Sequence, residues 1–222
     1  MNRLIYFPIP GRAEPIRIAL SLSDLEWEDI QIDGNEYYKM KKSGELPWGL
    51  LPILQTSSGT LAESSAILRY VGHLAGLIPN EAYAAAKADE IIDALETFSE
   101  ILSSTVRISD IEERIEARKN LFEADGIGTK SLTVWEEKVL QTESGWIANS
   151  EEMSIADLKL FTQVFGLFSG NWDGVNTDII KDYPNLIKYH SLVANEPRIL
   201  EHYSNISGED LRWTYQPGAF NN

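Results

Sequence analysis

The chain contains no cysteine. That absence removes disulfides, thiolate metal sites and a cysteine nucleophile, so any thiol chemistry must use a thiol supplied by a ligand. Histidine is nearly as scarce. His73, His190 and His202 share no ligand spacing, and no catalytic metal is expected. Positive charge is also short: nineteen Lys and Arg stand against thirty-four Asp and Glu, a formal net charge of -15. This argues against nucleic acid or an anionic membrane as partners, because both require a basic surface. No apolar run approaches the ~20 residues that cross a bilayer. Arg3 ahead of a short mixed segment, with Glu14 soon after, makes a poor signal peptide, so a cytoplasmic location is expected.

What is present is ordinary globular composition, 43% hydrophobic and 24% charged over 222 residues. That length can bury a sizeable core in one domain or two. Charge divides unevenly. Residues 1–79 carry nine acids against seven bases, and residues 80–222 carry twenty-five against twelve. Such a step suggests two parts, the first more tolerant of an anionic small ligand and the second simply acidic at its surface.

The hydrophobic pattern agrees with a division near residue 80. Leu4–Phe7 reads as a strand and Ala13–Leu22 as a helix with Pro15 in its first turn. Trp27–Ile32 alternates as a second strand with Trp27, Ile30 and Ile32 toward the core, and a short helix from about Glu36 to Ser43 stops at Gly44. Ile53–Gln55 and Thr60–Ala62, joined by "TSSG", form a hairpin, and Ser64 opens a helix. The order is βαβαββα, with the first two strands parallel. After the Gly- and Pro-bearing bridge "AGLIPN" (75–80) the period is helical throughout. Helices are expected near 82–104, 110–124, 132–143, 155–168 and 183–194, with a short one after Pro197. "SIAD" (154–157) is a capping-box variant, with Met153 and Leu158 as its staple; "SDLE" (23–26) has the same form but precedes a strand. "NIS" (205–207) matches a glycosylation acceptor by chance.

Three segments, "YFPIPGRAEPIR", "GELPWGLLPIL" and "LAESSAILRYVG", carry a resemblance in their order and spacing. Together they resemble the glutathione transferases, and the opening "YF…GRAE" is most similar to the sigma class. The resemblance is strong over the first 80 residues, weaker through 105–145 and lost after about Ser204. It implies a thioredoxin-like α/β N-terminal domain (1–79) and an all-α helical-bundle C-terminal domain (80–222) carrying the second-substrate site. It also implies a homodimer with glutathione as co-substrate.

Glutathione brings two carboxylates, one ammonium and a thiol, and each has a candidate partner. A cis Leu51–Pro52 bond, which the resemblance implies, would turn the Leu51 backbone N–H and C=O outward to pair with a peptide ligand, with Leu50 beside it. The helix opening at Ser64 presents free N–H groups to a carboxylate, and Glu63 can meet the ligand's ammonium. By itself Ser64 reads better as a plain N-cap, and it is the resemblance that assigns the Glu63–Ser64 pair to the γ-glutamyl end. Lys41 and Tyr37, four apart, share a helix face; the resemblance assigns Lys41 to the glycyl carboxylate, while Tyr37 stands where sigma enzymes usually carry tryptophan. Tyr6 reads either as a strand-end core aromatic or, by the resemblance, as the thiolate stabiliser, with Phe7 adjoining it and Arg12 adding positive potential. A free thiol has a pKa of about 8.5, and lowering it by about two units requires roughly 2.7 kcal/mol. One charge-assisted hydrogen bond supplies about 1.5–3 kcal/mol, so a single phenol nearly suffices.

Further expectations concern the helical part. Where sigma enzymes often use a partner-subunit aspartate for the ligand's ammonium, this chain has Thr97 with Glu96 adjacent. Ile91, Ile92, Leu95 and Phe98 span more than one face of their helix, which predicts an apolar surface covered by a second copy. Asp89, Asp93 and Glu96 form an acidic stripe beside them. The tail "GEDLRWTYQPGAFNN" is expected either to cover the acceptor pocket or to be disordered. The leading reading is conjugation of glutathione to small apolar electrophiles. Alternatives are glutathione-dependent isomerisation of the prostaglandin D synthase kind, and a non-catalytic ligand-binding or crystallin-like relative.

Overall fold

The computed structural model describes residues 1–206 and 210–221, so part of the "NIS" and tail readings lies outside the described residues. The chain forms two compact units, Met1–Ile78 and Pro79–Asn222. The first contains β1 (Asn2–Tyr6), α1 (Glu14–Ser21), β2 (Trp27–Gln31), α2 (Gly34–Ser43), β3 (Ile53–Thr56), β4 (Gly59–Ala62) and α3 (Ser64–Leu74). This is the expected βαβαββα order. The sheet runs β2-β1-β3-β4, with β1 parallel to β2 and the other pairs antiparallel.

Strand side chains alternate between faces, and the register puts Ile5 opposite Ile53 and Leu4 opposite Leu54. Ile5 and Ile53 join Met40 and Leu46 in one cluster under α2. Leu4 and Leu54 point the other way, where α1 and α3 pack together and bury Ile16, Leu20, Ile67, Leu68 and Val71. β2 is an edge strand, so Trp27, Ile30 and the following Ile32 are only half-buried, although Ile30 and Ile32 do pack against the Ile5 cluster. Asp33 caps α2 by accepting from the Glu36 N–H, and Gly44 ends it at φ 80°, as its position predicted.

The second unit is helical: α4 (Ala82–Ser103), α5 (Ile111–Leu121), α6 (Ile127–Leu140), α7 (Ile155–Gly166), α8 (Pro184–Ala194) and α9 (Pro197–His202), followed by a 3-10 turn (Leu211–Tyr215). α6 begins five residues before its predicted start. Two glycines obscured that start, and packing explains them. A Cβ on Gly126 would lie 2.2 Å from the Leu121 carbonyl oxygen, and one on Gly128 would lie 2.7 Å from the Phe122 ring. α7 is buried on nearly every side. Its capping box forms: the Asp157 carboxylate accepts from Ser154 N–H at 2.7 Å and also from Ile147 N–H at 2.8 Å and the Tyr189 hydroxyl at 2.6 Å. Burial raises the Asp157 pKa, and these donors oppose the rise.

Two expectations for this unit are corrected. Ile91, Ile92, Leu95 and Phe98 are buried already, because α4 lies against α6 and α7; they supply no free apolar face. For the described tail residues the expectation of disorder is corrected, because they pack against the helical unit. Tyr215 stacks on Tyr203 and donates to the Thr162 carbonyl at 3.1 Å, His190 Nε2 meets the Thr214 carbonyl at 2.7 Å, and Phe220 packs on Phe165 and His190. Large aromatics buried at the end of the chain complete the core of this unit.

Candidate active site

The register of the sheet assembles the site. β1 and β3 pair Ile5 with Ile53, so Tyr6 lies across from Pro52; β3 and β4 pair Ile53 with Ala62, so Pro52 lies across from Glu63. Tyr6, the Leu51–Pro52 peptide and the Glu63–Ser64 corner therefore share one end of the sheet. The Leu51–Pro52 bond is cis.

Tyr6 is 7% exposed, and its hydroxyl accepts a hydrogen bond from the Arg12 backbone N–H at 3.3 Å. That leaves the phenolic proton available to donate elsewhere. Burial pushes the phenol above its usual pKa, against the pull of the Arg12 N–H and then of the Arg12 and Arg17 charges. The phenol is thus protonated at neutral pH and acts as a donor, not a base. Gly11 permits the approach: its φ is +47°, and a Cβ there would sit 2.8 Å from the Tyr6 oxygen.

An aromatic ladder leads away from Tyr6. Phe7 is tilted on Tyr6 at 5.5 Å and meets the edge of Tyr37 at 5.6 Å. The Tyr37 hydroxyl donates to the Gly49 carbonyl at 2.9 Å, pinning α2 to the loop before β3. Lys41 Nζ lies 3.4 Å from that hydroxyl and over the Tyr37 ring. Among the described residues Lys41 has no carboxylate partner, so its charge is available to an anion. Leu51 packs partly against the Ile5 cluster, whereas Leu50 is exposed.

Ser64 is the first helical residue of α3 rather than its N-cap; Glu63 occupies that position. No side chain caps this helix, so its first N–H groups carry the partial positive charge of an open N-terminus. The Ser64 hydroxyl, in a residue only 8% exposed, has no partner among the described residues. Glu63 is exposed and has no partner among the described residues, and its backbone takes φ 67°, a conformation that costs a non-glycine residue of order 1–3 kcal/mol. An open anion-binding terminus, a lone carboxylate and a lone ammonium suit a zwitterionic ligand with two carboxylates.

Glu96 and Thr97 belong to the helical unit. The Glu96 carboxylate pairs with the buried ammonium of Lys159 on α7, so it serves its own fold; Thr97 is exposed on α4. Among the described residues, no group of three or more His, Asp or Glu side chains is arranged to hold a metal ion.

Sequence reasoning passed over Arg17, Glu14 and Asp29. Arg17 is 4% exposed on α1, and its guanidinium pairs with Glu14 at 3.0 Å and Asp29 at 3.1 Å. The signal was legible as an acid and a base three apart within the otherwise apolar run "EPIRIAL".

Known proteins share both units. Residues 2–73 match the sequence model of the glutathione S-transferase N-terminal domain, and residues 112–205 that of the glutathione S-transferase C-terminal domain. The hematopoietic prostaglandin D synthase of Mus musculus is 32% identical over 113 residues, 51% of this chain and 56% of that protein. The chain thus aligns with little more than half the length of such relatives. Glutathione S-transferase 1 of Ascaris suum aligns over 89% of this chain and 92% of its own length at 26% identity. The prostaglandin synthase D structure of Nilaparvata lugens superposes with a TM-score of 0.79 at 25% identity, covering 93% of this chain and 98% of that one. With the N- and C-terminal domain models matched in order over residues 2–73 and 112–205, this chain belongs to the glutathione S-transferase family.

Proposed function

We propose that this chain is a glutathione transferase that joins the glutathione sulfur to electrophilic carbon in small apolar molecules, a detoxifying conjugation. One observation carries the reading: a buried, protonated Tyr6 hydroxyl that already accepts from Arg12 N–H and keeps its own proton to give. Donated to a bound thiol, that proton favours the thiolate, which then attacks the electrophile and displaces its leaving group or adds across its double bond. Arg12 adds positive potential. The γ-glutamyl end meets the open terminus of α3 and Ser64, with Glu63 on its ammonium. Lys41 takes the glycyl carboxylate, beside Phe7, Tyr37 and Leu50, and the Leu51–Pro52 backbone pairs with the peptide.

The sigma-class assignment, a cytoplasmic location and a homodimer belong to the same reading. The dimer rests on family membership, since the α4 residues first offered for it are covered; light scattering that finds only a 25.0 kDa species still turning over would remove it. The deciding experiment is a conjugation assay over a panel of electrophiles with glutathione saturating. Tyr6→Phe is expected to keep the fold and glutathione affinity, to lose about a hundredfold in turnover at neutral pH, and to raise the bound thiol's pKa by about two units. An unchanged thiol titration would take Tyr6 out of the mechanism.

A second reading has its own support in the 32% identity to hematopoietic prostaglandin D synthase. Here the thiolate serves as a cofactor in an isomerisation and is regenerated, so glutathione is not consumed. Product formed without loss of free thiol distinguishes it from conjugation.

A further inference from the structure

Arg17 is the most fully satisfied side chain near the site, yet it faces the loop rather than the ligand groups. Its Nη1 donates to the carbonyls of Ile9 at 2.9 Å and Pro10 at 3.1 Å, and to Glu14 at 3.0 Å. Nη2 reaches the Phe7 carbonyl at 3.4 Å, and Nε donates to both oxygens of Asp29. Three carbonyls of the turn between Tyr6 and Arg12 thus converge on one guanidinium, whose carbon lies 5.8 Å from the centre of the Tyr6 ring. Only a planar fork of five donors can serve so many acceptors at once; a lysine ammonium has three donors at a single point. Burying this cation is tolerable because Glu14 and Asp29 neutralise it.

The turn it holds sets the chemistry. Between Phe7 and Gly11 the backbone makes one short-range hydrogen bond, Ile9 N–H to the Phe7 carbonyl at 2.8 Å, and two prolines remove donors from the segment. The Arg12 N–H reaches the Tyr6 oxygen at 3.3 Å, near the limit of a useful hydrogen bond, so a shift of a few tenths of an ångström would lose it.

We propose that Arg17 is the positioning residue of Tyr6: by fastening the 7–10 turn, with Asp29 as its seat on β2, it keeps the Arg12 N–H on the phenol oxygen and the phenol proton aimed at the ligand. This rests on reading Tyr6 as the thiolate stabiliser. Arg17 touches neither sulfur nor electrophile, and its effect runs through Tyr6.

Two variants and two readouts test it. Arg17→Lys keeps a cation but lacks the fork; Asp29→Asn leaves Arg17 in place and weakens its seat. The first readout is the Arg12 amide resonance in protein without glutathione, assigned by its movement in Tyr6→Phe. Arg17→Lys is expected to move it in the same direction, and Asp29→Asn to move it less. The second readout is the titration of the glutathione thiol in the complex. Arg17→Lys is expected to raise the thiol pKa by about one unit and lower kcat about tenfold at neutral pH, with KM for glutathione within twofold. In a Tyr6→Phe background the same change is expected to have no further effect on the thiol.

An equal loss in that background, or an unmoved thiol pKa, would overturn the proposal and leave Arg17 a purely structural residue. Should Arg17→Lys fail to fold, Asp29→Asn decides alone, and an unmoved Arg12 amide there also overturns it. If the wild-type protein binds no glutathione, the transferase reading fails, while the amide readout still judges whether Arg17 sets the Tyr6–Arg12 contact.

Discussion

The helical unit spends its buried and half-buried polar groups on the fold, whereas the N-terminal unit, beside its satisfied Arg17 network, also presents polar groups that its fold does not use. In the helical unit, Asp157 holds four donors, Lys159 holds Glu96, and the Arg118 guanidinium binds Thr105 and Asp173 while lying over the Trp172 ring. In the N-terminal unit, among the described residues, Ser64 and Glu63 have no side-chain partner and Lys41 has only the Tyr37 hydroxyl and ring, with no carboxylate; Glu63 sits in an unfavourable backbone conformation as well. Satisfied networks mark groups that specify structure. Unsatisfied ones at a helix terminus mark groups waiting for a ligand, and the stability given up there is recovered on binding.

The largest expected effect tests the structural half of this contrast. Asp157→Ala strands the donors of Ile147, Ser154 and Tyr189 in the core, and a loss on the order of 3–5 kcal/mol in urea unfolding is expected. A loss below about 1 kcal/mol would break the comparison. The next is acid sensitivity. Burial lowers the His190 pKa from 6.5 to about 4, with the Thr214 carbonyl opposing the shift. The unfolded chain therefore binds a proton that the native chain refuses between those values. Stability from this site is complete above about pH 6.5 and declines as pH falls toward 4, by roughly 2–3 kcal/mol. Unfolding measured at pH 7 and 4.5 should show that decline, and His190→Gln should flatten it.

Effects at the site should be smaller in stability and visible in function. Gly11→Ala brings a methyl against the Tyr6 oxygen at a positive φ. It should cost about 1–2 kcal/mol of transition-state stabilisation, seen as a roughly five- to thirtyfold fall in kcat with glutathione binding nearly intact. Smallest are the ligand's two ends. Ser64→Ala and Lys41→Ala should each weaken glutathione about tenfold by calorimetry, about 1.4 kcal/mol, without lowering the melting temperature. Lys41→Ala binding should also respond less to salt, because one screened charge is gone. If either variant melts lower instead, its group belongs with the structural set.

The parts of this molecule legible in its sequence were those governed by short spacing. The Pro-Gly turn after Tyr6, the four-residue step from Tyr37 to Lys41, the Gly44 stop and the Ser154–Asp157 box all reach their partners within a few residues. What escaped was set by packing between distant segments. Asp29 meets Arg17 across a crossover, Tyr189 meets Asp157 from 32 residues away, and the α4 apolar residues find their cover on α6 and α7. The start of α6 was hidden by glycines whose reason is a neighbouring backbone, not a turn. Ser64 opens its helix as its position predicted, whereas the left-handed backbone of Glu63 before it follows no local rule.

The aromatic wedge at the end of the helical unit bears on the order in which the molecule can be made. The N-terminal unit has every strand once Ala62 is joined and its last helix by Leu74. The helical unit must hold Phe161, Phe165 and His190 without their cover until Tyr215 and Phe220 have been added. During translation the first unit can therefore close early, while the second exposes its most aromatic surface until Phe220 has left the ribosome. Chaperone demand thus falls on the second unit and is heaviest just before that aromatic cover emerges.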